Sequence, residues 1–171
     1  MRKIYVTTMI LLTLSAASLA QVRVGPFLGY GDGLGLWGLG VHTELLVSEK
    51  LSINPVFIQY FPKALTGAFR KSAWELDLNA NYYLINGEVG KLYGLGGINY
   101  TQIRFRDRNS MMEEAVTDGN LGLNLGLGTI FLINNIMPFA EAKYTVGGYS
   151  QLTVFVGVKF QLGESTLEDD Y

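Results

Sequence analysis

Residues 152–162 (LTVFVGVKFQL) alternate with a period of two. Leu152, Val154, Val156, Val158, Phe160 and Leu162 occupy one phase; Thr153, Phe155, Gly157, Lys159 and Gln161 occupy the other. Successive side chains of a β-strand point to opposite faces, so the spacing predicts a strand with one apolar and one polar face. Trp74–Leu84 repeats the pattern, with Trp74, Leu76, Leu78, Ala80, Tyr82 and Leu84 opposed by Glu75, Asp77, Asn79, Asn81 and Tyr83. Asn120–Phe131 repeats it again, with Leu121, Leu123, Leu125 and Leu127 opposed by Asn120, Gly122, Asn124, Gly126 and Gly128. Val22–Tyr30, Leu34–Leu46, Leu51–Phe61, Leu92–Phe105 and Met137–Val146 have strand composition bounded by turn residues. The chain is therefore expected to be all-β, with eight antiparallel strands closed as an up-and-down barrel.

Two irregularities accompany this reading. In Leu92–Phe105 the apolar phase slips, Tyr93 and Leu95 falling out of step with Ile98 and Tyr100. A β-bulge is expected at Gly96-Gly97, where glycine tolerates the backbone required. Pro26, Pro55 and Pro138 each remove a ladder donor inside a strand. Pro138 falls near a strand start; the pattern offers no account of the other two.

The connections alternate in length. Val47–Lys50, Ile85–Lys91 and Asn134–Ile136 are short and share one end; Gly31–Gly33, Pro62–Lys71, Arg106–Gly119 and Gly147–Ser150 share the other and include the two longest. Short turns on one side and longer loops on the other are the asymmetry of transmembrane barrels, the loops facing outside the cell.

Composition decides which phase faces outward. A soluble lipocalin-like barrel has the same alternation with its apolar face inside. Here the polar phase is Asn and Gly in Asn120–Gly128, poor choices for a water-facing strand. Small side chains suit a narrow lumen that must also hold a few charged ones. Arg23, His42, Glu44, Glu75, Asp77, Glu141, Lys143 and Lys159 can all be placed in the inward phase. A Lys or Arg at the midplane of the lipid face costs about 2–4 kcal/mol, which favours that placement. Trp37, Phe61 and Trp74 fall toward the long-loop ends of strands, and Tyr82, Tyr93, Phe131 and Phe160 toward the other, as two interfacial girdles would. The outward environment is thus read as lipid.

The N-terminus agrees. Arg2 and Lys3 precede an apolar run, Ile4–Leu14, and Ser18-Leu19-Ala20 is a small-residue cleavage site before Gln21. This is the pattern of a cleavable signal peptide, residues 1–20, and the run is shorter than the roughly 20 apolar residues of a membrane-spanning helix. Cleavage would leave 171 − 20 = 151 residues and shift the formal charge from −2 to −4 with the loss of Arg2 and Lys3. Charged residues make up only 16% of the 171, below the roughly 25% of soluble domains, and there is no cysteine to form a disulfide or carry a lipid. Nothing is basic enough to suggest nucleic acid. The chain divides into 1–20 signal peptide, 21–162 outer-membrane β-barrel, and 163–171 acidic C-terminal tail.

The signal peptide, the eight alternating segments and the ending Gly157-Val158-Lys159-Phe160-Gln161-Leu162 resemble the small outer-membrane β-barrel proteins of Gram-negative bacteria, the eight-stranded porin-like and adhesin-like group. The resemblance covers Val22–Leu162. It implies residence in the cell outer membrane, contact with outer-membrane lipid, and recognition of the last strand by the barrel-assembly machinery. In that group an aromatic residue usually closes the chain; here Phe160 and the terminal Tyr171 both offer one.

Candidate chemistry is sparse. The inward charges offer either a proton or ion path or paired carboxylates for acid–base work; the plainer reading is a salt-bridge network that fills the lumen and fixes register. His42 is the one histidine, with Glu44 two residues on, but no His-x-Ser cluster or serine partner accompanies it. A lipid-modifying barrel enzyme needs such a group, so no catalytic, cofactor-binding or metal-binding residues are assigned and no cofactor is expected. The glycines of Tyr30–Gly40 precede no helix and so do not form a phosphate loop. Arg106–Gly119, with Met111 and Met112, is the longest and most charged loop; it reads first as a solvated loop and, as the alternative, as the segment through which an extracellular partner would bind. The function expected is a non-enzymatic structural, surface-interaction or adhesion role. The alternatives are a lipid-modifying barrel enzyme and a soluble exported ligand-binding barrel.

Overall fold

The computed structural model describes residues 21–64, 69–107, 115–133 and 136–162. The expected signal peptide, the acidic tail, and Met111 and Met112 lie outside them. Eight strands follow in order: β1 (Val22–Gly31), β2 (Leu36–Ser48), β3 (Leu51–Ala64), β4 (Phe69–Asn86), β5 (Gly90–Asp107), β6 (Ala115–Phe131), β7 (Ile136–Gly147) and β8 (Gln151–Leu162). Each pairs antiparallel with its sequence neighbours, and β1 pairs with β8 to close the barrel. Closure leaves no sheet edge, so each strand has a ladder partner on both sides.

The apolar phase points outward. Leu121 and Leu125 are each 72% exposed, and Leu39, Val41, Leu76, Leu78, Val154 and Val156 share that face. On β6 the outward apolar positions run from Leu121 to Phe131. At about 3.4 Å per residue, and tilted by roughly 40°, ten steps rise about 25 Å, the height of an outer-membrane apolar band. No Asp, Glu, Lys or Arg among the described residues lies on the outward face within this band.

Three expectations are corrected. There is no bulge at Gly96-Gly97: β5 pairs without a break on both sides, through Asn79↔Gly97 and Ala80↔Gly96 on β4 and Gly97↔Asn124 on β6. The alternation there never slips. Tyr93 and Leu95 are buried inward residues, and the outward phase at this level is Gly94 and Gly96. Register shifts occur instead near strand ends, at Leu46/Ser48, Tyr60/Lys63 and Tyr83/Ile85. For the same reason Tyr93 leaves the proposed girdle, while Trp37, Phe61, Tyr82, Phe131 and Phe160 are exposed outward.

The mouth connections are shorter than expected. β3 to β6 run to 14, 18, 18 and 17 residues, taking most of Pro62–Lys71 and half of Arg106–Gly119 into strand. The connections left are 65–68 and 108–114. The β3–β6 wall is therefore taller than the rest of the barrel. The second strand also begins at Leu36, so Gly33 and Gly35 belong to the turn 32–35, where Gly35 adopts φ 63° and donates to the Gly31 carbonyl at 2.8 Å. That left-handed conformation favours glycine.

The prolines now have an explanation. A residue in an antiparallel sheet directs both backbone groups to one neighbour, and the next residue directs its pair to the other. Pro26 lies in an unbroken ladder with β2, while the β1–β8 pairing steps from Val24↔Phe160 to Phe27↔Gly157. Pro55 lies in an unbroken ladder with β4, while the β2–β3 pairing steps from His42↔Val56 to Leu45↔Ile53. Each costs rungs toward one neighbour only. Pro138 sits just past Ile130↔Phe139, where the β6–β7 ladder ends.

Candidate functional site: the barrel interior

The inward phase is a packed core in which charged groups and aromatic rings form layers. At the mouth, toward the β1–β2 and β3–β4 connections, Leu34, Leu36, Ile58, Tyr60 and Ile103 are buried. The turn carrying Leu34 is held from across the mouth: Lys71 donates to the Leu34 carbonyl at 3.0 Å and Lys63 to that of Gly35 at 3.4 Å.

Below this cap lies the first charged cluster. Lys143 on β7 donates to Glu75 on β4 at 2.5 Å and also bonds Asp77. One ammonium therefore serves two carboxylates, and neutral donors complete their coordination. Tyr60 Oη and Gln151 Nε2 each reach Glu75 at 3.0 Å; Asn99 Nδ2 and Asn124 Nδ2 reach Asp77 Oδ1 at 2.6 and 3.0 Å. Asn124 bridges further to Asn79, and Thr145 donates to Asn124 Oδ1.

The second cluster lies toward the short-turn end. Glu44 accepts from Lys159 at 3.2 Å, from Ser52 at 2.9 Å and from Tyr83, and Arg23 stands 3.6 Å away. Glu141 accepts from Tyr93 at 2.8 Å and has His42 Nε2 at 3.4 Å. Arg23 and Lys159 face Glu44 and Glu141, so the formal charges balance.

An aromatic layer separates the two. Phe27 and Phe155 pack at a tilt of 49° with 4.5 Å between centroids, and Phe27 meets Phe139 edge-on at 6.4 Å. Lys143 stands 5.3 Å over Phe155 from one side; Lys159 stands 4.7 Å over Phe139 from the other. These cation–π contacts join each charged cluster to the rings. The glycines of the inward phase make room for them. A Cβ on Gly40 would stand 2.3 Å from the Phe27 ring, and one on Gly128 would stand 2.3 Å from that of Tyr93.

Arg23, His42, Glu44, Glu75, Asp77, Glu141, Lys143 and Lys159 are thus all buried inside the barrel, none more than 4% exposed. The lumen brings them into two groups. Tyr60, Tyr83, Tyr93, Ser52, Asn99, Asn124 and Gln151 join them as partners that charge alone did not single out. Their signal was phase: each lies in step with an inward charge on its own strand or the one paired to it.

The interior carries little of what chemistry on a substrate requires. His42 is fully buried, packed 4.9 Å from the Phe139 ring. Ser52, in the same cluster, donates to Glu44 and Asn54 rather than to His42. No group of three or more His, Asp or Glu able to hold a metal occurs among the described residues. No helix among them is long and apolar enough to cross a membrane, which has no bearing on strands.

No protein-family model matches the chain, and no curated protein sequence matches it. Solved structures do. The N-terminal β-barrel domain of Pseudomonas aeruginosa OprF superposes with a TM-score of 0.62 at 15% identity, over 83% of this chain and 97% of that one. The Yersinia pestis attachment invasion locus protein Ail gives 0.59 at 15%, over 84% and 97%. A de novo designed transmembrane β-barrel gives 0.58 at 13%, over 83% and 95%. The fold is that of the eight-stranded outer-membrane β-barrel. A designed barrel fits about as well as natural ones, so the fold carries no activity with it.

Proposed function

We propose that this chain is an exported outer-membrane barrel with a non-enzymatic structural and surface-interaction role. The observation that carries the reading is the division of charge. Described charges within the band are inside, while the outward face is Leu, Val, Ile and aromatic around the circumference. Water would not favour that surface; lipid would. In this reading residues 1–20 are a cleaved signal peptide, and 163–171 are an acidic tail after the barrel. The last strand is the element read by the assembly machinery, and the eight inward charged residues are a structural network rather than a catalytic or conducting one.

The surface role rests on the mouth. One structure of Ail is of its complex with the heparin analogue sucrose octasulfate. By analogy, the connections of this chain at the β3–β6 rim, including 108–114, are where an extracellular partner would be met.

Fractionation tests the location: heat-modifiable migration from the outer-membrane fraction is expected, and recovery in the soluble periplasm would overturn it. Lipid profiling tests the non-enzymatic role. Cells lacking the protein, and cells carrying His42→Ala, are expected to have the lipid A acylation pattern of the parent; a changed pattern would make it an enzyme.

A further inference from the structure

The short-turn mouth of the barrel gathers two cationic heads around one ring. Lys91, near the start of β5, is in step with the inward Tyr93 and Leu95, and its ammonium stands 5.5 Å over the Tyr83 ring. Arg23 Nη1 lies 3.5 Å from the hydroxyl of the same Tyr83. Arg23 is buried and already faces Glu44, but its Nε has no acceptor among the described residues. Lys91 is only partly buried and makes no ion pair with a carboxylate among the described residues. Arg23 and Lys159 match Glu44 and Glu141; with Lys91, three cations meet two acids and one positive charge is in excess, His42 being counted as neutral. The remaining acids at this end do not supply the match. Glu49 shares the exposed β2–β3 turn with Lys50, and Glu88 is exposed on the β4–β5 turn. Two cations beside a low-dielectric interior repel each other and favour an added anion.

The chain itself carries anions to this end. β8 ends at Leu162, which pairs with Val22, and Gln161 pairs directly with Arg23. The nine residues that follow (GESTLEDDY) carry Glu164, Glu168, Asp169 and Asp170 and no Lys or Arg. They leave the sheet beside Arg23, and Lys91 on β5 is three strands away, most of the way across the mouth. Eight strands about 4.8 Å apart and tilted by about 40° enclose a ring about 16 Å across. At about 3.3 Å per extended residue, roughly five residues cross it. Glu164 is then within reach of Arg23, and Glu168, Asp169 and Asp170 within reach of Lys91.

We propose that residues 164–170 fold back across the short-turn mouth and dock through their carboxylates on Lys91 and Arg23. This inference rests on the reading of 163–171 as an acidic tail after the barrel, and it gives that tail a site. A single exposed ion pair contributes little. Tethering changes the arithmetic, because a segment this short is present at an effective concentration on the order of mM and several weak pairs act together. That advantage favours the chain's own carboxylates over those of a separate partner. Docked, the tail closes the lumen from the short-turn side, as the turn carrying Leu34 caps it from the other.

The chain has no cysteine, so labels go only where they are placed. The test uses residues 21–171 with nitroxides on Asn86→Cys, at the position paired with Lys91, and on Tyr171→Cys, folded in zwitterionic detergent micelles. Pulsed electron resonance is expected to give one narrow distance distribution. Lys91→Gln, Glu168→Gln/Asp169→Asn/Asp170→Asn, and about 1 M NaCl are each expected to make it roughly twice as broad. Lys91→Glu combined with Glu168→Lys/Asp169→Lys/Asp170→Lys is expected to restore the narrow one. Heat-modifiable migration confirms folding; should Lys91→Gln fail to fold, the tail variant, which leaves the barrel sequence intact, decides. A parent distribution as broad as that of the tail variant would overturn the proposal. So would a narrow distribution that the folded variants and salt leave unchanged. Failure of the parent to enter phosphatidylcholine vesicles bears on the membrane reading alone, because the distances are read in micelles.

Discussion

Lys143 on β7 reaches Glu75 on β4 across the lumen, a 2.5 Å contact between residues 68 apart in sequence and on strands that do not touch in the sheet. Such a contact braces opposite walls in a way that ladder hydrogen bonds cannot. Lys143 also bonds Asp77, so its removal leaves two buried carboxylates without their cation. Lys143→Met is expected to destabilise the barrel by about 3–5 kcal/mol, as breaking one side of a buried pair does. Adding Glu75→Gln and Asp77→Asn is expected to restore much of that loss. Urea unfolding in detergent micelles or lipid vesicles measures both; a triple variant no better than the single one would contradict the bracing account.

The division of faces predicts opposite responses to charge. Leu125 is 72% exposed, near the middle of the outward band. Leu125→Arg is expected to cost about 2–4 kcal/mol in phosphatidylcholine vesicles. If the outward face met water, the substitution would be nearly neutral, and the same unfolding curves would show it.

Two glycines separate close approach from empty space. A Cβ on Gly25 would lie 1.7 Å from the Val158 carbonyl oxygen, at the seam where β1 meets β8. A Cβ on Gly96 would meet nothing nearer than 3.8 Å. Gly25→Ala is expected to push the seam apart and cost upward of about 3 kcal/mol, through the overpacking of a site bounded by backbone. Gly96→Ala is expected to be neutral or to stabilise by up to about 1 kcal/mol, from the entropy glycine loses on folding. Heat-modifiable migration at graded temperatures ranks the two, and equal midpoints would refute the contrast.

The layered interior predicts a closed lumen. Phe27, Phe139 and Phe155, from the neighbouring strands β1, β7 and β8, pack together between the charged clusters, and eight strands enclose only enough space for side chains. The purified protein in a planar bilayer is expected to show no steady conductance. Phe27→Ala/Phe155→Ala is expected to introduce one. A parent protein that conducts steadily would show that the rings do not seal it.

Much of this architecture was legible in the chain, because period two is the geometry of the strand itself. β4, β6 and β8 each keep Leu or Val on one phase and Asn, Gly or charge on the other. β5 misled because the two phases exchange chemistry while the backbone keeps its register: Tyr93 and Leu95 are apolar yet inward, and Gly94 and Gly96 are outward. Tyr93 was misread as a girdle residue on the same grounds. What no local pattern holds is pairing across the lumen. That Lys143 meets Glu75 rather than Glu141 depends on strand tilt and closure, which only the whole barrel defines. The prolines were opaque for a related reason, since a missing N–H costs rungs toward one neighbour and the chain does not say which.

The unbroken apolar outer band has a consequence for fidelity. Sliding any strand by one residue exchanges its two faces. For β7 that would carry Glu141 and Lys143 into the acyl chains, and for β4 Glu75 and Asp77. The buried ions thus act as a proofreading device during insertion for the strands that carry them: on β2, β4, β7 and β8 a one-residue slip is marked by a charge in oil, while β3 and β6, whose inward phases within the band carry no charge, take their register from these neighbours.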